Sequence, residues 1–228
     1  MEIKFDRTIK ELFNEFYIGL VELSEVSSEP IKSIDELRKT IIDSIKNKYE
    51  LENLKNIPTI RANRDFFWKI GIDPTKKRPS AEALIRRILN GKEIPQINLF
   101  VDLYNLMSIK YEISIAGFDW DKINGNILMR FAKNGEQFLG IGMKKPIILQ
   151  GKEIILTDDS SILAIYPYRD SDHSKLTENT KKIILLTCGV PNYPKDRIIE
   201  ATKELYSIFK EYLSANGIYK IFSSKNSN

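Results

Sequence analysis

The pattern of hydrophobic and polar positions first indicates a β-strand near the N-terminus. Apolar residues alternate with others from Phe16 to Val26. This alternation predicts a strand that directs Phe16, Ile18 and Leu20 inward. Asp6 is well placed to cap a short helix ahead of that strand. We therefore expect the chain to begin with one short helix followed by one strand.

Helical periodicity dominates the chain from there to about residue 111. Ser33 and Glu36 match a capping box before a helix predicted over residues 34–50. The segment Gly71–Pro79 is predicted to be a loop, because its prolines cannot continue a helix. Further helices are predicted over residues 58–70, over residues 81–90 with Ser80 as the cap, and after Asn98 as the cap.

After Gly117 the pattern changes to short apolar runs separated by turn signals. Strands are predicted over residues 127–132, 137–141, 147–149, 154–157, 162–168 and 183–187. Pro194 then begins a final helix that is expected to close near Asn216. This half of the chain should therefore contribute most of a sheet.

Together these elements predict one domain of the α+β class over residues 1–222, since no internal repeat or low-complexity linker interrupts them. Its helices are expected to pack on a mixed, largely antiparallel sheet. The expected parts are a helical part over about residues 33–111, a sheet-rich part over about 118–190, a C-terminal helix over about 195–216 and a frayed tail over 223–228.

Composition is that of an ordinary globular protein. The chain has 228 residues, of which 42% are hydrophobic and 29% charged, so a packed core is expected. No apolar run approaches the ~20 residues of a membrane span, and the N-terminus lacks the features of a signal peptide. We expect a cytoplasmic protein. Its single cysteine, Cys188, lies in an apolar run and is interpreted as a buried, unreactive thiol.

Positive charge is concentrated in one segment. Between Arg61 and Glu93 the chain carries nine lysine or arginine residues against four acidic ones. Phe66, Phe67 and Trp68 lie within this segment, and basic residues interspersed with aromatic ones are typical of a surface that contacts phosphates. The alternative is a pair of amphipathic helices with solvated basic faces. The residues predicted to bind RNA are Arg61, Arg64, Lys76, Lys77, Arg78, Arg86 and Arg87.

A polar stripe runs along the otherwise apolar helix that follows Asn98. Asp102, Asn105 and Ser108 recur every three residues, which places them on one face. Polar groups on an apolar helix need partners, so this face is a candidate for one wall of a binding site. The alternative is that it is only the solvated face of an amphipathic helix.

A second candidate is the polar segment 166–174, which follows a predicted strand. Arg169 could bind a carboxylate or phosphate, and Asp170 could hold an ammonium group. The alternative is a loop in which Asp170 and Ser171 only stabilise their own turn. His173 is too close in sequence to form a catalytic triad with them, and a role as a lone acid or base stays open. With one histidine and one cysteine, no metal site is expected.

Several of these segments resemble the B3/B4 domain, which occurs in the β subunit of phenylalanyl-tRNA synthetase and as free-standing proteins. The runs VDLYN at 101–105 and FDWDKING at 118–125 are similar to its V-D-x-x-N and F-D-x-D-K-I-x-G motifs. The runs ILMRFA at 127–132 and GE at 135–136 are similar to its I-x-x-R-x-A and G-E motifs. The order and spacing of the motifs match, over roughly residues 60–190.

Other segments are more similar to the free-standing proteins than to the synthetase. These are residues 63–65, 71–75, 79–87, 90–92, 94–95 and 169–171, with Thr177 and Thr180. The resemblance implies a pocket between the helix of the polar stripe and the sheet. The residues predicted to line that pocket are Asn105, Ser108, Arg130, Arg169, Asp170, Ser171 and Thr180.

In the synthetase, this domain hydrolyses tyrosine wrongly attached to the phenylalanine tRNA, but the present chain departs from it. Ala116 stands where the synthetase has a histidine, and Leu186 is nearest to the position of a glutamate. The residues 168–171 replace a glycine-rich turn that shapes the pocket. Direct transfer of the tyrosine-editing mechanism is therefore not supported, and no catalytic residue is assigned.

Two functional hypotheses follow from the resemblance. The first is a tRNA-associated protein with an amino-acid-sized pocket that hydrolyses misacylated tRNA in trans, with tRNA or aminoacyl-tRNA as its partner. The second is a non-catalytic module that binds an amino acid, a related small molecule or an RNA end. Neither hypothesis requires a cofactor or a membrane. The sequence leaves the oligomeric state open.

Overall fold

The computed structural model describes residues 1–13 and 15–225. A helical first half is followed by a strand-rich second half, and the sheets are mixed but mostly antiparallel, which confirms the expected α+β fold class. The helices in the described residues are α1 (Arg7–Leu12), α2 (Asp35–Lys48), α3 (Pro58–Lys69), α4 (Ser80–Leu89), α5 (Leu99–Tyr111) and α6 (Lys195–Leu213).

A four-stranded antiparallel sheet forms the centre of the fold. Its strands are β2 (Tyr17–Ser24), β3 (Ser114–Asp119), β10 (Ile183–Cys188) and β11 (Asn216–Ser223), in the order β11-β2-β10-β3. Helix α6 packs on β2, β10 and β11, while α5 packs on β3. Every residue of β10 is buried, and all but Thr187 are apolar, as expected for a central strand that is covered on both faces.

A second, five-stranded sheet lies beside the first. Its order is β1-β4-β7-β8-β9, with β1 parallel to β4 and the other pairs antiparallel. Its strands are β1 (Ile3–Phe5), β4 (Ile127–Phe131), β7 (Ile154–Thr157), β8 (Ile162–Ile165) and β9 (Arg169–Asp170). A small hairpin of β5 (Gln137–Phe138) and β6 (Ile147–Ile148) projects from it.

Both main sheets contribute to one hydrophobic core. Buried side chains from β1 and β4, such as Ile3 and Met129, belong to the same cluster as Leu20 of β2 and Leu185 of β10. Burial of such apolar side chains is the main favourable contribution to the free energy of folding. The edge strands β3 and β9 meet where the two sheets join, and this junction forms the candidate site described below.

Two predicted helix caps are wrong, although the helices themselves form. The Ser33 hydroxyl accepts from the Asp35 N–H at 3.1 Å, so it closes a local turn, and Ile34 is the N-cap. Ser80 is the first residue of α4 rather than its cap, and its hydroxyl donates to Ser114 of β3. By contrast, the Asp6 and Asn98 side chains cap their helices as predicted.

Strands β1, β3 and β11 differ most from the sequence-based prediction. The C-terminal helix ends at Leu213 instead of near Asn216, and the chain continues into β11. Ser224 is 3% exposed, and its N–H donates to the Phe16 carbonyl, so residues 223–225 do not form the frayed end expected of them. The rest of the predicted tail, residues 226–228, lies outside the described residues.

None of the helices in the described ranges combines the length and apolar composition that a membrane span requires.

Candidate functional site

A cavity of about 150 Å³ lies where the two sheets and helix α5 meet. Helix α5 contributes Tyr104 and Asn105, β3 contributes Ser114 and Ala116, and the end of β8 with β9 contributes residues 164–170. The cavity therefore brings together Asn105, Arg169 and Asp170, which come from the two polar segments singled out in the sequence.

Asp170 is held at the junction by both sheets. Its strand pairs with β8, with Asp170 opposite Ala164, and its Oδ2 accepts a hydrogen bond from the Gly117 N–H of β3 at 3.2 Å. Within the described chain no lysine or arginine forms an ion pair with this carboxyl group. Its remaining hydrogen-bonding capacity is therefore open to a ligand.

Burial raises the pKa of Asp170 to about 7, and the hydrogen bond from Gly117 opposes that shift. The carboxyl group consequently changes charge near neutral pH. A pKa close to the working pH, in a cavity, is a frequent property of binding and catalytic groups. A cationic ligand in contact with Asp170 would stabilise the carboxylate and displace its proton.

Asn105 and Tyr104 supply polar groups that make no hydrogen bond to any residue of the described chain. The Asn105 amide lines the cavity and offers both a donor and an acceptor. Burial raises the pKa of the Tyr104 hydroxyl far above its usual value, and nearby Asp170 adds to the shift, so Tyr104 stays neutral. Gly117 makes room for this ring, since a Cβ there would lie 2.8 Å from Tyr104 Cε1.

The walls of the cavity combine polar and apolar side chains, several of them held by hydrogen bonds or ring contacts. The Tyr166 hydroxyl donates to the Gly189 carbonyl, and its ring lies edge-on to Phe16 at 6.0 Å. The Ser80 hydroxyl donates to Ser114 at 3.0 Å, which links α4 to β3 across one side. Burial raises the pKa of the Cys188 thiol well above its usual value, so this thiol is not an activated nucleophile.

Positive charge lies beside the cavity. The Lys77 ammonium is 5.3 Å and the Arg169 guanidinium 5.2 Å from the ring centre of Tyr168, a cavity-lining residue. The exposed run Lys76–Arg78 is separated from the lining residue Ser80 by one proline. Part of the predicted basic surface is therefore adjacent to the predicted pocket.

The remaining predicted RNA-binding residues have protein partners. Arg64 and Arg86 both contact Glu82, whose side chain is fully buried, at 2.9 and 2.8 Å. Arg61 pairs with Asp65 at 3.3 Å, and Arg87 donates to the Glu93 carbonyl at 3.0 Å. Arg64 and Arg86 compensate a buried charge and thus have a structural role, whereas Lys76, Lys77 and Arg78 are exposed.

Four residues that were predicted to line the pocket lie outside this cavity. Ser108 donates to the Ile113 carbonyl at 2.6 Å, where α5 turns into β3. Thr180 donates to Asp119 at 3.1 Å in a loop. Arg130 and Ser171 line a separate cavity of about 600 Å³ together with His173, and both η nitrogens of Arg130 are bonded to the Glu136 carboxylate.

In the described ranges, no three histidine, cysteine, aspartate or glutamate residues come together as potential metal ligands. The acidic pair Asp158 and Asp159 is held by local hydrogen bonds: the Asn124, Ser160 and Ser161 N–H groups all donate to Asp158. Burial opposes this effect, but the net result is a lowered pKa of Asp158.

Residues 62–211, more than half of the chain, match the family described as the B3/4 domain. The chain belongs to the B3/4 domain family. This B3/4 protein is 28% identical, over 167 residues, to the phenylalanine–tRNA ligase beta subunit of Chromobacterium violaceum. It is also 31% identical, over 110 residues, to the tRNA(Ile)-lysidine synthase of Clostridium tetani.

The present chain corresponds to a part of these relatives. The first alignment covers 72% of this chain and 19% of the ligase subunit, and the second covers 42% and 23%. An N-terminal fragment of the phenylalanyl-tRNA synthetase beta subunit from Pyrococcus horikoshii superposes with a TM-score of 0.47 at 15% identity, covering 96% of this chain and 49% of that one.

Sequence reasoning missed several lining residues, among them Tyr104, Ser80, Ser114 and Cys188. Tyr104 lies on the predicted helix but outside the polar stripe, and Ser80 was predicted to be a helix cap. Ser114 and Cys188 are directly paired across β3 and β10. Recognition of β3 as a strand would have placed Ser114 and Ala116 on one face and indicated their site, because alternate residues share a face.

Proposed function

We propose that this B3/4 protein binds the aminoacyl end of a tRNA and hydrolyses the ester bond of a wrongly attached amino acid. One arrangement carries the proposal. The Asp170 carboxyl, which forms no ion pair within the described chain, and the Asn105 amide share a cavity that lies beside the basic run Lys76–Arg78. The relation to a tRNA ligase subunit and a tRNA-lysidine synthase supports a tRNA-associated role.

Each part of an aminoacyl-tRNA end has a matching group. The α-ammonium group is assigned to Asp170, whose carboxylate is desolvated and has no cationic partner in the described chain. The ester carbonyl is assigned to the Asn105 amide. Phosphates of the terminal nucleotides are assigned to Lys76, Lys77 and Arg78, because exposed lysine and arginine residues are the usual phosphate contacts.

Hydrolysis in this arrangement relies on positioning rather than on a covalent intermediate. A water molecule held in the cavity attacks the carbonyl carbon, and the Asn105 amide and the neutral Tyr104 hydroxyl donate hydrogen bonds to the developing oxyanion. The ester C–O bond then breaks, and the leaving ribose oxygen takes up the proton that the water loses, so that the free amino acid and the tRNA are released. Such preorganised donors are effective in a cavity that excludes bulk solvent.

The enzymatic part of the proposal is tested with a panel of misacylated tRNAs. We expect faster loss of the ester than in buffer for at least one member of the panel, and N105A should reduce that rate about 100-fold. S108A is the control, since Ser108 lies on the same helix but outside the cavity. Ester loss at the buffer rate across the whole panel would remove the claim of catalysis.

A non-catalytic binding module is the second candidate, and a specific observation favours it. Ala116 and Leu186, which occupy the positions nearest the histidine and glutamate of the synthetase pocket, are apolar and directly paired across β3 and β10. The lining thiol, Cys188, is not activated. Thermal stabilisation by a non-hydrolysable aminoacyl analogue, without turnover of any misacylated tRNA, would favour this candidate.

Removal of the exposed basic run Lys76–Arg78 should weaken RNA binding and make it less dependent on the salt concentration. For the triple variant K76Q/K77Q/R78Q, we expect the slope of log K against log salt to fall by about two to three units, because fewer counterions are released. Filter binding of tRNA between low and moderate salt measures this slope.

The matched control is K39Q/K46Q/K55Q, which removes three exposed charges from the α2 side of the molecule. Both variants change the net charge equally. Equal slopes for the two variants would show that residues 76–78 form only a solvated surface.

A further inference from the structure

We infer that the cavity accepts an aminoacyl group with a small side chain that carries no positive charge, and that Ala116, Leu156 and Ala164 set the size limit. This inference rests on the proposed function and adds the class of amino acid. It also marks a difference from the synthetase domain, for which the resemblance implies an aromatic substrate.

Cavity volume is the first argument. A cavity of about 150 Å³ is the size that holds one benzene molecule in the interior of another protein. An alanyl or seryl group has about as many non-hydrogen atoms as benzene, while a phenylalanyl or arginyl group has about twice as many. The smaller groups fit with the ammonium at Asp170, and the larger ones do not.

The walls cannot easily move apart to admit a larger group. Leu156 is 0% and Ala164 2% exposed, and the two are directly paired across β7 and β8. Ala116 is 6% exposed and is fixed by its pairing with Leu186 of β10. Since these strands belong to the continuous core, widening the cavity would break close-packed contacts on both sheets.

Charge complementarity is the third argument. Asp170 supplies the negative charge that the α-ammonium group needs, and the described residues that line the cavity include no second carboxylate. Other polar groups at the cavity include the hydroxyls of Ser80, Ser114 and Tyr104 and the amide of Asn105, with the Arg169 guanidinium at its basic side. A cationic side chain would be desolvated there without a second carboxylate, whereas a methyl or hydroxymethyl group would not.

Binding of non-hydrolysable analogues tests the inference separately from catalysis. The probes are amides of 3′-amino-3′-deoxyadenosine with alanine, serine, valine, phenylalanine, tyrosine and arginine, titrated calorimetrically into the full chain. We expect the alanyl and seryl probes to bind at least about tenfold more tightly than the phenylalanyl, tyrosyl and arginyl probes. If a large probe binds as tightly as the alanyl probe, the size inference fails while the proposed function stands.

If no probe binds at all, the proposed aminoacyl site fails, and the inference fails with it.

Variants of the cavity wall test the size limit directly. A116V should abolish binding of the alanyl probe, whereas A132V, at a position equally buried but outside the cavity, should not. L156A should gain affinity for the phenylalanyl probe. If L156A does not fold, L156V makes a smaller change in the same wall and should shift the preference from the alanyl towards the valyl probe.

Discussion

Replacing Asp170 by asparagine is expected to weaken binding of an aminoacyl probe about fiftyfold while making the protein more stable at pH 8. Affinity falls because the ligand ammonium loses its charge-assisted hydrogen bond, which contributes about 1.5–3 kcal/mol. Stability rises because asparagine keeps an acceptor for the Gly117 N–H but never has to ionise in the cavity. Opposite changes in function and stability are typical of a binding group and not of a structural one.

The stability difference should depend on pH in one direction. An aspartate in the unfolded chain ionises near its ordinary pKa of 3.8, and burial raises the folded value to about 7. Between these values the unfolded state binds fewer protons, so the wild-type protein loses stability relative to D170N as the pH rises from about 4 to about 7. Above pH 7, D170N stays more stable than the wild-type protein by a constant amount, about 2 kcal/mol. This amount is smaller than the full pKa shift implies, because the carboxyl group is partly accessible to solvent.

Chemical denaturation of wild-type protein and D170N at pH 4.5, 6 and 8 measures this difference, and calorimetry with the alanyl probe measures affinity. The control is D172N, since Asp172 is a neighbouring acid paired with Lys175 at 2.8 Å near the surface. A pH-independent difference between wild type and D170N would mean that the Asp170 carboxyl is well solvated. Unchanged affinity of D170N would exclude it as the ammonium partner.

Glu112 is a position where a single, nearly isosteric change should cost much stability. This residue is 2% exposed and ends α5 in a left-handed conformation, with φ of 52°. Its carboxylate accepts from Thr59 at 3.1 Å and Arg197 at 2.7 Å, and it also bonds Lys48 and Tyr49. This buried group thereby joins α2, α3, α5 and α6.

For E112Q we expect a loss of about 3 kcal/mol in the free energy of unfolding, because the partly buried Arg197 guanidinium would lose its anionic partner. E204Q is the control: Glu204 bonds Lys110 and Tyr111 but is more exposed, so about 1 kcal/mol is expected. Urea denaturation at pH 7 measures both variants. Equal effects of the two substitutions would mean that the Glu112 cluster is no stronger than a surface ion pair.

Local patterns correctly predicted most of the elements. Periodicity gave the main helices, strand β2 and most strands of the second half, because apolar spacing and turn residues act within a few positions. Strand β3 was missed, since residues 114–118 are all apolar or small, show no clear alternation, and come shortly after a helix. Strand β11 was missed because its exposed and half-buried residues do not alternate clearly and it is stable only through pairing with β2.

The candidate site was predicted in part for the same reason. Asn105 and Asp170 were found because each is a polar group on an otherwise apolar element, a signal that is visible in the sequence. Ser108 carries the same signal, yet its hydroxyl bonds a backbone carbonyl at the end of its own helix. A pattern of polar residues indicates that partners exist, but it does not say whether they are backbone groups, neighbouring side chains or a ligand.

The sequence by itself therefore determined the fold class, the main helices, the family resemblance and the two segments that carry polar groups. Only the tertiary structure decided that Asn105 and Asp170 share a cavity, that Arg64 and Arg86 neutralise Glu82, and that β3 closes the junction between the sheets. The physical reason is that periodicity reports interactions between near neighbours, whereas burial, charge pairing and cavity volume depend on residues far apart in the chain.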